Sequence, residues 1–237
     1  MFEPTVRDGV LQVRRPGTRW LSSGWAGGFE TADAAFNVSV PAGWNRTDLE
    51  EYLAERRERA GFEERGPALL TGVDMDHLRG ATSGPVEVYA TAGITNPAAL
   101  PMEPGDVSTR DDGGQSHDVV DTIGTVNLLV GTTRALDDGA MANLVAVAAE
   151  AKAATLLSAS GFPGTTTDAV VVGTDPSGEP SRFSGSATAV GAATRACVRD
   201  AVRASLESRY DSDELPESVA DAAGGVETTR SATVFVP

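Results

Sequence analysis

The chain has 237 residues, with 34 acidic against 19 basic side chains, a formal net charge of −15 and one cysteine. So acidic a chain repels nucleic-acid phosphates, and no basic patch or aromatic stacking motif argues otherwise. The lone Cys197 excludes an internal disulfide and any multi-cysteine zinc or iron–sulfur centre. No stretch reads as a signal peptide or as an apolar run long enough to span a bilayer, so the expectation is a cytoplasmic protein with no membrane and no nucleic-acid partner.

Of the 19 basic residues, 18 are arginine and one, Lys152, is lysine; isoleucine occurs only at Ile94 and Ile123. Carboxylates hold water and cations in concentrated salt, where their repulsion is screened to within about 3 Å at 1 M. Lysine's apolar stem is a liability there, because salt strengthens apolar association. The composition points to a salt-accumulating organism, a halophilic archaeon. A chain this acidic that keeps one lysine keeps it for chemistry or for a buried ion pair.

In chain order, short strands are expected at Val10–Val13, Arg19–Ser22 and Ala35–Val40. A glycine-rich turn, Ser22–Gly28, lies between the last two. Thr47-Asp48-Leu49-Glu50 reads as a capping box opening a charged helix that stops at Gly61. Ala68–Val73 and Val86–Ala92 read as strands running into polar loops at Asp74 and Asn96. Residues 101–118 form an acidic loop, a lid or a salt adaptation, and Asp121–Val130 returns to strand. Asp137–Leu157 is the longest helix; being apolar almost all round, it is expected to be buried on every side. Asp168–Thr174 is a strand, Ala187–Arg209 an amphipathic helix, residues 211–230 an acidic linker, and Thr233–Val236 a closing strand.

These elements predict a single domain over residues 1–237, of α+β (α/β-type) class: a mixed β-sheet packed against two long helices. A layered αββα sandwich is the alternative arrangement.

Several residues have the chemistry of a site. Lys152 lies three to four positions from Ala148, Thr155 and Leu156, on a face of small and apolar groups; burial there would make it a base or one half of a Lys–carboxylate pair. The turn Gly164-Thr165-Thr166-Thr167-Asp168 offers backbone N–H groups to an oxyanion and hydroxyls to a carbonyl, or simply turns the chain. Thr125 and Asn127 share one strand face, to orient a polar ligand or to satisfy neighbouring backbone. Trp20 and Trp25 flank the Ser22-Ser23-Gly24 turn and suit a large flat ligand together, or the core separately. Asp74-Met75-Asp76-His77, with His117, is too poor in histidine for a zinc centre, and no metal is expected.

Taken in order, Arg19–Gly28, Leu70–Met75, Thr91–Asn96, Gly105-Asp106, Gly124–Asn127, Ala149–Lys152, Gly164–Ala169 and Phe183–Gly191 make a set that resembles the adenosylcobinamide amidohydrolase family of cobalamin salvage. The resemblance covers residues 19 to 209. The acidic insertion at 101–118 departs from it, as do the small residues after Ser184-Gly185. It implies hydrolysis of the amide between the aminopropanol arm and the corrin ring, giving adenosylcobyric acid and 1-amino-2-propanol. The substrate would supply the cobalt, with no further cofactor; a homo-oligomer is compatible. The expected catalytic residues are Lys152, Glu150, Thr165, Thr167, Asp168 and Asp74. Lys152 would work with a threonine hydroxyl, or Asp74 or Glu150 would activate water beside it. The expected substrate contacts are Trp20, Ser22, Ser23, Trp25, Asn96, Thr125 and Asn127. Competing readings are a corrinoid-binding protein without catalysis and a threonine amidohydrolase that cuts itself at Gly164–Thr165.

Overall fold

The computed structural model describes residues 1–103, 124–210 and 215–237. The expected acidic loop beyond residue 103, His117, the strand start at Asp121 and residues 211–214 of the expected linker lie outside them.

The chain opens with a hairpin that the sequence reading missed. Strand β1 (Glu3–Arg7) turns into β2 (Val10–Ser22) at Asp8-Gly9, whose φ angles of 47° and 70° are both positive. Asp-Gly is the signature of a two-residue type I′ turn. Val10–Val13 and Arg19–Ser22, expected as separate strands, are two arms of β2. Its register with β3 (Gly28–Ser39) shifts between Arg14 and Thr18, around Gly17 at φ 71°. A bulge of this kind bends the strand. The first arm pairs with β1 and β3. The second arm pairs with β3 and also with β9 (Ala169–Ser181).

This bend folds one eight-stranded sheet into two layers. Its order is β4 (Ala68–Thr71), β3, β2, β9, β8 (Val126–Leu136), β6 (Val86–Ala92), β5 (Arg79–Ser83), with β1 on β2. The β3–β4 and β8–β9 pairs are parallel and the others antiparallel, so the sheet is mixed as expected. Helix α1 (Leu49–Arg59) packs Tyr52 and Leu53 on Val10, Phe36 and Val38 of the first layer. Helices α2 (Asp138–Ser160) and α3 (Ala189–Arg209) cover Val88, Leu128 and Val172 of the second. Between the layers lie Leu11, Val13 and Trp20 against Leu69, Tyr89, Leu129 and Val171. The strand period of two sends Leu128 to the helices and Leu129 between the layers. The order is therefore αββα, built from a single bent sheet.

Helix α2 crosses over between the parallel strands β8 and β9. The Asp137 carboxylate accepts from Ala140 N at 2.8 Å and Gly161 ends the helix at φ 78°. Its burial differs from expectation. Met141, Leu144, Ala148 and Leu156 are buried, but Ala142, Ala146, Ala154 and Leu157 face outward. Alanine reads as apolar in sequence yet exposes little surface, so an all-round apolar pattern does not require all-round burial. By length and hydropathy (1.4) this helix could cross a bilayer, contrary to the sequence reading, but half of that stretch packs inside the domain.

Three further expectations are corrected. Helix α1 starts at Leu49 behind Asp48, whose carboxylate is held by Arg46 rather than by the helix, so the Thr47 capping box does not form. Thr233–Val236 does not form a strand, and Val234 and Phe235 are exposed. Within the expected linker, β10 (Val226–Glu227) pairs with β7 (Ala98–Ala99) and ties the chain back to the domain.

Candidate active site

One end of the second layer gathers most of the polar segments. Antiparallel β6–β8 and parallel β8–β9 bring Ala92 to Val126 and Asn127 to Ala169. Antiparallel β2–β9 brings Ser22 to Val171. The loops after β2 and β6, Gly124-Thr125 at the head of β8 and the turn before β9 therefore converge. Ser23 extends the pairing: its N–H donates to Val170 O and its Oγ accepts from Val170 N, both at 2.9 Å. This places the Trp25 turn beside the start of β9, two residues past Asp168.

Asp168 is the centre of the cluster. One carboxylate oxygen, Oδ2, accepts from Lys152 Nζ and from Thr165 N at 3.0 Å. The other, Oδ1, accepts from Thr165 Oγ1 at 2.5 Å and from Val126 N at 2.9 Å. Lys152 and Asp168 side chains are each 11% exposed, the deepest of the described ion pairs. A carboxylate so placed needs every one of these donors, since burying it unpaired costs several kcal/mol, on the order of 3–5. Gly164 leaves the room: a Cβ there would lie 2.6 Å from Asp168 Oδ2 and 3.0 Å from Lys152 Nζ.

A second layer of bonds braces the turn. Thr167 Oγ1 lies 2.7 Å from Thr125 Oγ1 and donates to Gly124 O at 3.1 Å. Asn96 Nδ2 donates to Thr166 Oγ1 at 2.5 Å, and Thr166 N donates to Asn96 O at 3.2 Å. Thr165 and Thr166 N–H groups are thus both turned inward, and they do not form the oxyanion site that the sequence suggested. Asn96 Oδ1 is buried without a hydrogen-bond partner among the described residues. Thr166 and Thr167 face solvent, whereas Thr165 is buried.

The structure thus brings together Lys152, Asp168, Thr165, Thr167, Thr125 and Asn96. Glu150 is not among them: its side chain is 65% exposed and lies 3.6 Å from Arg195. A helix turns residue 150 about 200° from residue 152, onto another face. Asp74 is exposed and accepts from Asp76 N at 2.9 Å, capping a short 3-10 turn. Trp20 is fully buried, stacked edge-on against Phe2, with its indole N–H donating to Ala32 O. It is a core residue and offers no surface to a ligand. Trp25 is 51% exposed and keeps that capacity. Asn127 is fully buried between the layers, donating to Asn37 Oδ1 at 3.0 Å and Leu70 O at 2.8 Å, so it joins the two layers rather than facing a ligand. Ser22 is buried and accepts from Gly24 N, shaping the turn. His77 Nδ1 lies 3.1 Å from Ser208 Oγ.

The Phe183–Gly191 segment has a structural role. Ser184 donates to Ala140 O at 2.7 Å and accepts from Asn143 at 3.0 Å, and Thr188 caps α3. It grips the start of α2, about 18 Å along the helix from Lys152. Sequence reasoning missed Tyr210, whose hydroxyl accepts from Ile94 N at 2.9 Å, and Arg209, packed against Gly93. Both follow from where α3 ends on the sheet, which no local pattern signals.

Comparison with known proteins shows which family the sequence resembles. A family model described as adenosylcobinamide amidohydrolase matches residues 2–214. A protein of that name from Halobacterium salinarum (strain ATCC 700922 / JCM 11081 / NRC-1) is 57% identical over 240 aligned positions, covering all of both chains. Another of that name from Methanosarcina mazei is 28% identical over 199, covering 80% of this chain and 90% of that one. Among solved structures, the PH0078 protein of Pyrococcus horikoshii OT3 aligns at a TM-score of 0.44 and 11% identity over 87% of this chain and 79% of that one.

Proposed function

The chain belongs to the adenosylcobinamide amidohydrolase family, and on that premise we propose that it hydrolyses the amide between the aminopropanol arm and the corrin ring of adenosylcobinamide. The products are adenosylcobyric acid and 1-amino-2-propanol, and the reaction serves corrinoid salvage in the cytoplasm. The observation that carries the proposed chemistry is the Thr165 hydroxyl, donating to Asp168 while Lys152 holds the other carboxylate oxygen.

An unactivated amide needs a nucleophile, a base and an acid for the leaving nitrogen. Thr165 Oγ attacks the carbonyl carbon as its proton passes to Asp168. The C–N bond then breaks as that proton moves to the leaving nitrogen, releasing the amine and leaving a threonyl ester. Water opens the ester: its proton passes to Asp168 and on to Thr165 Oγ, restoring the hydroxyl and freeing the acid. A carboxylate is the natural partner of an ammonium, so in this scheme Asp168 accepts the proton. Lys152 orients it and offsets charge on the reacting oxygens. Asp74 and Glu150, the other expected bases, are exposed and have their own partners. Side chains alone suffice here, and the cobalt belongs to the substrate.

Incubation with adenosylcobinamide tests the reading. The corrinoid should convert to adenosylcobyric acid by mass, in a chelator-insensitive way, and Thr165→Val should lose turnover on the order of 10²-fold or more. Corrinoid recovered unchanged after long incubation, although bound, would make the protein a binder only. Normal turnover by Thr165→Val would move the attack to a water activated by Asp168.

A further inference from the structure

Helices α2 and α3 do not close on each other along their outer side. A cleft of about 800 Å³ runs between them, because the facing residues are small: Ala154 and Ala159 on α2, Ala192 and Ala196 on α3. Its outer wall on α3 carries Arg195, Arg199 and Arg203, one per helical turn. Three arginines on one stripe are notable in a chain of net charge −15. Each has an exposed carboxylate partner, loosely placed for Arg195 and Arg203 and two-pronged for Arg199, whose Nε and Nη2 donate to Asp200 at 2.7 and 3.2 Å. Arg195–Glu150 and Arg203–Glu207 are separated by 3.6 Å, Arg199 pairs only with the adjacent Asp200, and all six side chains are at least 43% exposed. Exposed pairs of this kind contribute about 0–1 kcal/mol, so the guanidinium groups are available to a ligand.

The cleft adjoins the site. Its floor includes Ala151 and Thr155, which bracket Lys152 on the same helix. At its other end Tyr210 and Leu215 are shared with a smaller cavity of about 420 Å³ that includes Ile94 and Thr95, next to Asn96 of the Thr166 bonds. Chain neighbours of Lys152 and of Asn96 thus line the two cavities, although Lys152, Asp168 and Thr165 themselves line neither.

We infer that this cleft, rather than the Trp25 turn, holds the corrin macrocycle. A corrin is a broad, flat, largely apolar ring with carboxamide arms around its rim. Alanines on two walls give such a ring a flat slot without bulky side chains, and its size is that of a site for a large ligand. Arg195, Arg199 and Arg203 donate to the carbonyl oxygens of the rim carboxamides. The amide to be cut then extends past Thr155 toward Thr165. This assignment rests on the adenosylcobinamide reading, and the test separates the two.

The measurement is equilibrium dialysis of adenosylcobinamide at 4 °C in molar potassium chloride, read by corrin absorbance, with turnover followed in parallel. Ala196→Trp fills the slot and should weaken binding at least tenfold, while Ala142→Trp, on the outward face of α2, binds as wild type. Arg199→Ala combined with Arg203→Ala, both at exposed positions, should raise KM about tenfold with kcat within threefold. Equal Kd for wild type, Ala196→Trp and the double arginine variant would overturn the assignment, whether or not wild type hydrolyses the corrinoid. Weakened binding by these variants in a protein that never cleaves the amide would uphold the cleft and reject the hydrolase reading instead.

Discussion

Gly164→Ala perturbs the proposed centre without changing a charge or removing a reacting group. The added Cβ would start 2.6 Å from Asp168 Oδ2 and 3.0 Å from Lys152 Nζ. Comfortable contact is about 3.5 Å, so the carboxylate has to retreat by roughly 0.9 Å. Its bonds to Lys152, Thr165 N and Thr165 Oγ1 cannot all survive such a shift. Charged hydrogen bonds contribute about 1.5–3 kcal/mol each. Losing one, with partial relaxation, lowers stability by about 2–3 kcal/mol, or some 4–12 °C in Tm for a chain of this size. A displacement near 1 Å costs on the order of 10²-fold in turnover. Gly161→Ala is the matched control: no atom would meet its Cβ, but φ is 78°, so it loses about 1–2 kcal/mol through backbone strain alone. Thermal unfolding by circular dichroism in molar salt and corrinoid turnover should therefore separate the two glycines. Folded Gly164→Ala protein with wild-type turnover would refute the reasoning that the Asp168 geometry matters to the chemistry.

Lys152→Arg keeps the charge but brings a wider head against Gly164; turnover should drop by on the order of 10²–10⁴ with the fold retained, and near-normal turnover by a folded variant would end the role given to Lys152. Trp20→Ala should destabilise by about 3–5 kcal/mol, as for a buried aromatic, whereas Trp25→Ala should leave Tm within a degree or two; the reverse order in a melting experiment would contradict the burial of Trp20. Burial, aided by the nearby Asp200 and Glu87 carboxylates, pushes the Cys197 thiol up to about 11. Its neutral form therefore persists as pH rises toward that value, and iodoacetamide at pH 8 should label only denatured protein. Stability should rise steeply with potassium chloride, since the screening length falls from about 10 Å at 0.1 M to about 3 Å at 1 M; equal Tm in dilute buffer and molar salt would count against adaptation to salt.

Local elements and one chemical anomaly are legible in the amino-acid order alone. Strand Val86–Ala92 and the cores of β3, β8 and β9 follow from runs of β-branched and small apolar residues. Helices α2 and α3 follow from composition and from the spacing of their apolar residues. The single lysine stood out against 18 arginines, and its partner Asp168 lay in the threonine-rich turn already singled out. These are short-range properties, fixed by neighbours a few residues away. The remaining features are long-range and arise from how the elements pack. Trp20 and Trp25 are five residues apart, yet one is core and the other exposed, because β2 alternates faces and then ends. Thr125 and Asn127, expected on one strand face, are both buried, but β8 starts only at Val126, so Asn127 joins the layers while Thr125, just before the strand, braces the turn. Glu150, two residues from Lys152, points elsewhere because a helix rotates about 100° per residue. The bend in β2 that makes four layers from one sheet, and the small residues that leave a cleft between α2 and α3, depend on which surfaces meet, and no periodicity within a segment encodes that.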